Sequence, residues 1–203
     1  AVVRRLLDFD PPVDNPGRAT LLRLGDVSIF VDYAHNPAAL AATLRTLHRL
    51  WGPDRCVAVV TLPGDRRDDL LTACAQVVAD GVTRAVLHDD EDPRGRGPAE
   101  VSTLVEREMR VRRPGLRAVR AGGYRDAVGA ALKLARPGDV VLVLYEKLEP
   151  MLTLLGELGA VSGTPLRAPS LPVVAAPGAT TAPARELLGR GRVVRAGSRS
   201  LPG

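Results

Sequence analysis

Cysteine is scarce in this 203-residue sequence: Cys56 and Cys74 are the only two. One pair cannot build the disulfide framework of a small secreted domain, and no Cys/His spacing matches a zinc site. Aromatic residues make up only 3% of the chain, so Leu, Val and Ala must fill the core. Long apolar runs are missing as well. Val140–Tyr145 is among the longest, far short of the roughly 18 residues that cross a bilayer, which excludes a membrane-spanning helix. No basic stretch followed by an apolar one opens the sequence, so no signal peptide is expected and a reducing cytoplasm is the expected compartment. Lysine occurs twice, at Lys133 and Lys147, and neither stands in a Gly-x-x-x-x-Gly-Lys-[Ser/Thr] phosphate loop. No Gly-x-Gly-x-x-Gly follows the first strand signal, which argues against the usual nicotinamide-dinucleotide fold, and no Gly-x-Ser-x-Gly nucleophile elbow is found.

Apolar residues at 45% and charged residues at 25% are ordinary for a globular chain. The net charge of +5 is not spread evenly. Residues 162–203 hold Arg167, Arg185, Arg190, Arg192, Arg195 and Arg199 against the single acid Glu186, which leaves residues 1–161 balanced. The same stretch contains six Pro and six Gly, and no aromatic residue. Such a composition cannot bury enough surface to offset its ordering entropy, so 162–203 is expected to be a disordered basic tail. Without aromatics for base stacking, the tail argues against nucleic acid as a partner.

The body alternates between two periodicities. Thr20–Arg23 and Val27–Val31 flank Leu24-Gly25-Asp26 and read as a hairpin. Pro37–Leu50 reads as a helix on Leu40, Leu44, Leu47 and Trp51. Strand signals then fall at Cys56–Leu62, Arg84–Leu87, Leu116–Arg120 and Val140–Tyr145. Helix signals fall at Asp68–Ala79, Pro98–Arg112, Tyr124–Ala135 and about Pro150–Leu158. Cys56 and Cys74 are expected in the core, and His48 on the surface. This alternation predicts an α/β three-layer αβα sandwich: a mostly parallel, Rossmann-like sheet with an N-terminal β-hairpin strand.

In such sheets ligands bind beyond the carboxyl ends of the strands, and the residues there are chemically dense. Asp32-Tyr33-Ala34-His35-Asn36-Pro37 offers an acid, an imidazole and an amide before a helix start. The group reads equally as a ligand site near the helix dipole or as a capping turn with Asn36 as N-cap. Gly64-Asp65-Arg66-Arg67-Asp68-Asp69 puts two guanidiniums at a helix N-terminus, where they oppose the dipole; anion binding and a solvated charged turn both remain open. His88 to Pro98 carries Asp89, Asp90, Glu91 and Asp92 with Arg94 and Arg96, suited to a zwitterionic or cationic small molecule, or to a solvated loop. Glu146-Lys147 follows the last strand, with an ion pair to the acidic loop as the plain alternative.

Together these motifs resemble the C-terminal domain of the Mur ligases and their relatives. Asp32–Pro37 resembles the signature that opens that domain, and Asn15-Pro16-Gly17-Arg18 resembles the linker before it. Gly64–Asp68, Asp90–Arg96 and the Glu146-Lys147 ending are most similar to the cyanophycin synthetase branch. The resemblance covers about residues 1–160. It implies ATP-dependent joining of a carboxylate to an amine through an acyl phosphate, with Mg²⁺ and the phosphate loop supplied by a central domain in the same or another chain. It implies that Arg18, Asp32, His35 and Asn36 contact ATP. It implies that Asp65, Arg66, Asp92 and Arg94 line the site of the incoming amino acid, arginine in that branch. Residues 1–18 then read as the end of a central domain plus linker, 19–161 as the Mur-ligase-like domain, and the isolated chain as inactive. A non-catalytic domain that binds a ligand or another chain is the alternative.

Overall fold

The computed structural model describes residues 15–163. The expected tail, apart from its first two residues, and residues 1–14 of the expected linker segment lie outside them. Two antiparallel strands come first, β1 (Thr20–Leu24) and β2 (Val27–Asp32), paired from Thr20 opposite Val31 to Leu24 opposite Val27. Four strand–helix alternations follow: α1 (Pro37–Trp51), β3 (Cys56–Val60), α2 (Asp68–Gly81), β4 (Arg84–Leu87), α3 (Glu100–Arg112), β5 (Arg117–Arg120), α4 (Tyr124–Leu134) and β6 (Val140–Leu144). The helix α5 (Leu148–Glu157) and a short strand β7 (Val161–Ser162) close the described part. No helix among the described residues is long and apolar enough to cross a membrane.

The seven strands lie in the order β5-β4-β3-β6-β2-β1-β7, with β2 to β5 across the centre all parallel. The pleat sends alternate residues to opposite faces. Cys56, Ala58, Val60, Leu142 and Leu144 pack with Leu40, Leu44, Leu71, Val78 and Met109 of α1, α2 and α3. Val57, Val59, Val141 and Val143 pack with Ala127, Val128, Met151 and Leu155 of α4 and α5. Both faces are covered, which is why β3 and β6 are fully buried and read as continuous apolar runs. This is the expected three-layer sandwich, and both cysteines are in its core.

Element ends differ from expectation where backbone conformation intervenes. The helix α3 begins at Glu100 and not at Pro98, because Ala99 sits at φ +59°, outside the helical region. The helix α5 begins two residues before Pro150, which occupies the first turn, where a missing N–H costs nothing. His48 is not on the surface. It is half-buried, and its Nε2 lies 2.7 Å from the Gly81 carbonyl oxygen, tying α1 to the end of α2.

Candidate functional site

The five parallel strands deliver their following loops to one edge of the sheet. The β2–α1 turn is held by its own side chains. Asn36 caps α1, its Oδ1 accepting from the Ala39 N–H at 2.9 Å. Asp32 accepts from the Tyr33 N–H at 2.8 Å and from the Thr43 hydroxyl at 2.6 Å. Between them His35 is turned inward and is 5% exposed.

The segment before β1 is seated on this turn. Gly17 has φ +80°, and a Cβ there would lie 2.3 Å from the Tyr145 hydroxyl, so only glycine fits. Tyr145 donates that hydroxyl to the Gly17 carbonyl at 3.0 Å. The Arg18 guanidinium then lies 5.0 Å over the Tyr33 ring and donates to the Tyr33 carbonyl at 3.4 Å. The Tyr33 ring in turn packs tilted against His35 and Tyr145, with centroids 4.2 and 5.4 Å away.

The β3–α2 and β4–α3 loops cross tightly. A Cβ on Gly64 would fall 2.2 Å from the Pro93 carbonyl oxygen. Arg96 pins the crossing: it donates to the carbonyls of Gly64 and Arg66 at 2.8 and 2.6 Å, and pairs with Asp68 and Glu100. Consecutive aspartates shape the loop itself, Asp90 accepting from the Asp92 N–H and Asp92 from the Arg94 N–H, each at 3.0 Å. Arg94, at φ +50°, thereby places its guanidinium 2.6 Å from Glu146 Oε2 and 3.4 Å from Asp65 Oδ2.

Glu146 is the hub. Its side chain is 2% exposed, and its other oxygen, Oε1, lies 3.4 Å from His35 Nδ1. Burial pushes the Glu146 carboxyl up to about 7, against the pull of Arg94. Burial, reinforced by Arg66, Arg94 and Arg18, holds His35 down at about 4. At neutral pH the contact therefore joins an uncharged imidazole to a carboxyl near its midpoint and is not an ion pair. Glu146 Oε1 and both His35 nitrogens lack hydrogen-bond partners.

This pair is a partition between two clefts. The smaller, of about 270 Å³, is lined by Arg18, Tyr33, His35, Asn36, Arg66 and Leu70. The larger, of about 650 Å³, includes Asp90, Glu91, Tyr124, Glu146 and Lys147 in its walls. His88 lines it too. Its Nδ1 donates to the Asp89 carbonyl at 3.0 Å, which makes Nε2 an acceptor, and that nitrogen is buried without a partner.

The structure thus gathers Arg18, His35, Asn36 and Arg66 at one cleft, Arg66 on the side opposite to that expected; Asp65 and Arg94 line neither cleft and reach the larger one only through the contact of Arg94 with Glu146. Asp32 lines neither cleft, since both its oxygens are committed to the turn and α1. Asp92 acts on the backbone of its loop. Asp89 holds the start of α3 through Ser102 at 2.9 and 2.7 Å, Glu91 pairs with Lys147 at 3.2 Å, and Arg67 folds onto Asp69 at the exposed surface. Glu146 and Arg96 carry more of the site than the sequence suggested. An acid placed one residue beyond the five apolar residues of β6, after Tyr145, was the available signal for Glu146. Among the described residues no three His, Cys, Asp or Glu side chains cluster to hold a metal ion.

Comparison with known proteins agrees with this architecture. Residues 17–144 match the family model for the Mur ligase, glutamate ligase domain. The chain is 30% identical over 146 residues to a cyanophycin synthetase of Trichormus variabilis, covering 72% of this chain but only 16% of that protein. Among solved structures it is similar to a UDP-N-acetylmuramoyl-L-alanyl-D-glutamate–2,6-diaminopimelate ligase, with a TM-score of 0.53 and 26% identity, over 70% of this chain and 30% of the other. A Mycobacterium tuberculosis folylpolyglutamate synthase solved with ADP shares the fold, with a TM-score of 0.55 and 22% identity, over 74% of this chain and 34% of that one.

Proposed function

The chain belongs to the Mur ligase family, as its glutamate ligase domain, and on that premise we propose that it is the C-terminal lobe of an ATP-dependent acid–amino acid ligase of the cyanophycin synthetase type. The observation that carries this reading is the pair of clefts parted by His35 and Glu146.

In this reading ATP lies along the smaller cleft. Arg18 and Arg66 supply cations for phosphate oxygens, the Asn36 amide supplies a neutral hydrogen bond, and the inward-turned His35 ring walls the cleft. The incoming amino acid occupies the larger cleft. Arg94 is not in the wall of that cleft but adjoins it through its neighbour Pro93 and its partner Glu146, and from there it holds the carboxylate, with Asp65 orienting the guanidinium from the other side. Asp90 and Glu91 give the far wall a negative character suited to a cationic side chain such as that of arginine. The amine is then presented to an acyl phosphate formed on the acceptor carboxylate. Magnesium and the phosphate loop belong to a central domain, in the same or another chain, because acyl phosphate chemistry needs dense positive charge at the γ-phosphate. This stretch of chain contains no phosphate loop, and by itself it is expected to bind ligands without turning them over.

Calorimetry tests the assignment. Arg18→Ala should weaken binding of a non-hydrolysable ATP analogue about tenfold, the scale of one charge-assisted contact, and leave L-arginine binding unchanged. Arg94→Ala should do the reverse. Equal losses of both ligands in both variants, or no binding of either by the wild type, would refute it.

A further inference from the structure

Arg94 is already occupied. Its two terminal nitrogens meet Glu146 at 2.6 Å and Asp65 at 3.4 Å. A substrate carboxylate arriving at the same guanidinium would set three carboxylates around one cation, so one of the resident acids has to yield. The two differ in what they can do next. Asp65 is 52% exposed and stays hydrated without its partner. Glu146 is 2% exposed, and an ionised carboxyl left there unpaired would bear the full cost of a buried charge.

We propose that Glu146 is a positioning residue that latches the Arg94 guanidinium until the carboxylate of the incoming amino acid displaces it, and that the displaced carboxyl takes one proton from solvent. The proposal rests on the reading of the larger cleft as the amino acid site. The proton has a place to go. Glu146 Oε1 has no hydrogen-bond partner, and 3.4 Å away His35 Nδ1 has none either. A protonated Glu146 can donate to that uncharged nitrogen, and the hydrogen bond offsets the loss of Arg94.

The groups that face Glu146 set the direction. His35 faces it from the β2–α1 turn, Asp65 and Arg66 from the β3–α2 loop, and Asp90 and Arg94 from the β4–α3 loop. Its chain neighbour Lys147 is spent on Glu91. Asp90 and Asp65 already raise the affinity of Glu146 for a proton, while Arg94 and Arg66 lower it. Removing Arg94 from this set can only move the carboxyl upward from about 7. Ligand binding is therefore linked to proton uptake, and affinity falls as pH rises above neutrality.

Two measurements on the full chain decide it. In carbon-detected NMR of side-chain-labelled glutamate, the Glu146 carboxyl of the free protein should titrate near 7, and Arg94→Ala should move it higher. A midpoint in the ordinary carboxylate range, or no movement in the variant, overturns the latch. Calorimetry with L-arginine at pH 7, in phosphate and in Tris, then counts protons. Wild type should take up roughly half a proton more per ligand than Glu146→Gln, and the variant should bind at least as tightly. Agmatine, which lacks the carboxylate, should show no such difference. Binding of L-arginine with equal proton uptake in both proteins overturns the latch alone. Failure of both proteins to bind any carboxylate-bearing amino acid overturns the latch together with the amino acid site on which it stands.

Discussion

Burial holds His35 near 4, against an ordinary imidazole value of 6.5, and lifts Glu146 to about 7, against an ordinary 4.5. The two groups therefore bend the pH dependence of folding in opposite directions. A depressed imidazole stabilises the fold above 6.5, a contribution lost as pH falls toward 4. A raised carboxyl stabilises it below 4.5, a contribution lost as pH rises through 7. Each slope reaches at most about 1.4 kcal/mol per pH unit, so between 4.5 and 6.5 they offset each other. Single substitutions should expose the hidden halves. Glu146→Gln should lose stability on acidification below 6.5, and His35→Gln should lose it as pH rises from 4.5 to 7, both read from denaturant midpoints across pH. Two variants that both track the wild-type profile would show that neither group is perturbed as described. At this scale the sequence was informative about which residues gather, since Asp32–Pro37 and Asp90–Arg96 stood out by composition. It marked Glu146 as a strand-end residue but not as a buried one, because burial of a carboxyl is a property of the elements around it and not of its neighbours in the chain.

The elements themselves followed from periodicity. β3 and β6 are apolar throughout because helices cover both their faces, and α1 carries Leu40, Leu44 and Leu47 on one stripe. What periodicity could not reveal is how the loops between elements are fastened. Arg96 reads as one more charge in an acidic loop, yet it is 16% exposed and bonds two carbonyls and two carboxylates across two loops. Its planar fork is what allows four partners at once. Arg96→Ala should cost about 1–3 kcal/mol, and Arg96→Lys should recover little of it. Hydrogen exchange should rise at residues 64–68 and 89–97 while the centre of the sheet stays protected. The crossing makes a second demand. Gly64→Ala would push a methyl into the Pro93 carbonyl, 2.2 Å away, a clash with backbone that no rotamer relieves. A loss of about 1–3 kcal/mol is expected, measured by thermal or urea unfolding. Unchanged stability in both variants would mean that the two loops are not held against each other.

At the scale of the molecule, the site is assembled from residues far apart in sequence. The Gly17–Tyr145 hydrogen bond spans 128 positions, and Arg94 reaches Glu146 across 52. Parallel pairing makes this possible by sending β2, β3, β4 and β6 to the same edge. The alternation of strands and helices made that edge legible in the sequence; the partition between two clefts was not, because it depends on β6 lying between β2 and β3. That insertion places Glu146 between the His35 turn and the Arg94 loop, and it predicts communication between the clefts. A nucleotide in the smaller cleft brings negative phosphate charge beside His35, and Arg66 and Arg18 turn part of their field toward it. Both changes favour the protonated form of Glu146, which lacks the charge that holds Arg94. Arg94 is then freer to accept a substrate carboxylate, so the coupling is positive. By linkage it must be reciprocal, with a size of about fivefold or somewhat more. Calorimetry of L-arginine binding with and without a saturating non-hydrolysable ATP analogue, then of the analogue with and without L-arginine, should return the same factor twice. Glu146→Gln carries no charge to neutralise and should reduce that factor to about one; a factor that survives the substitution would place the communication somewhere other than this partition.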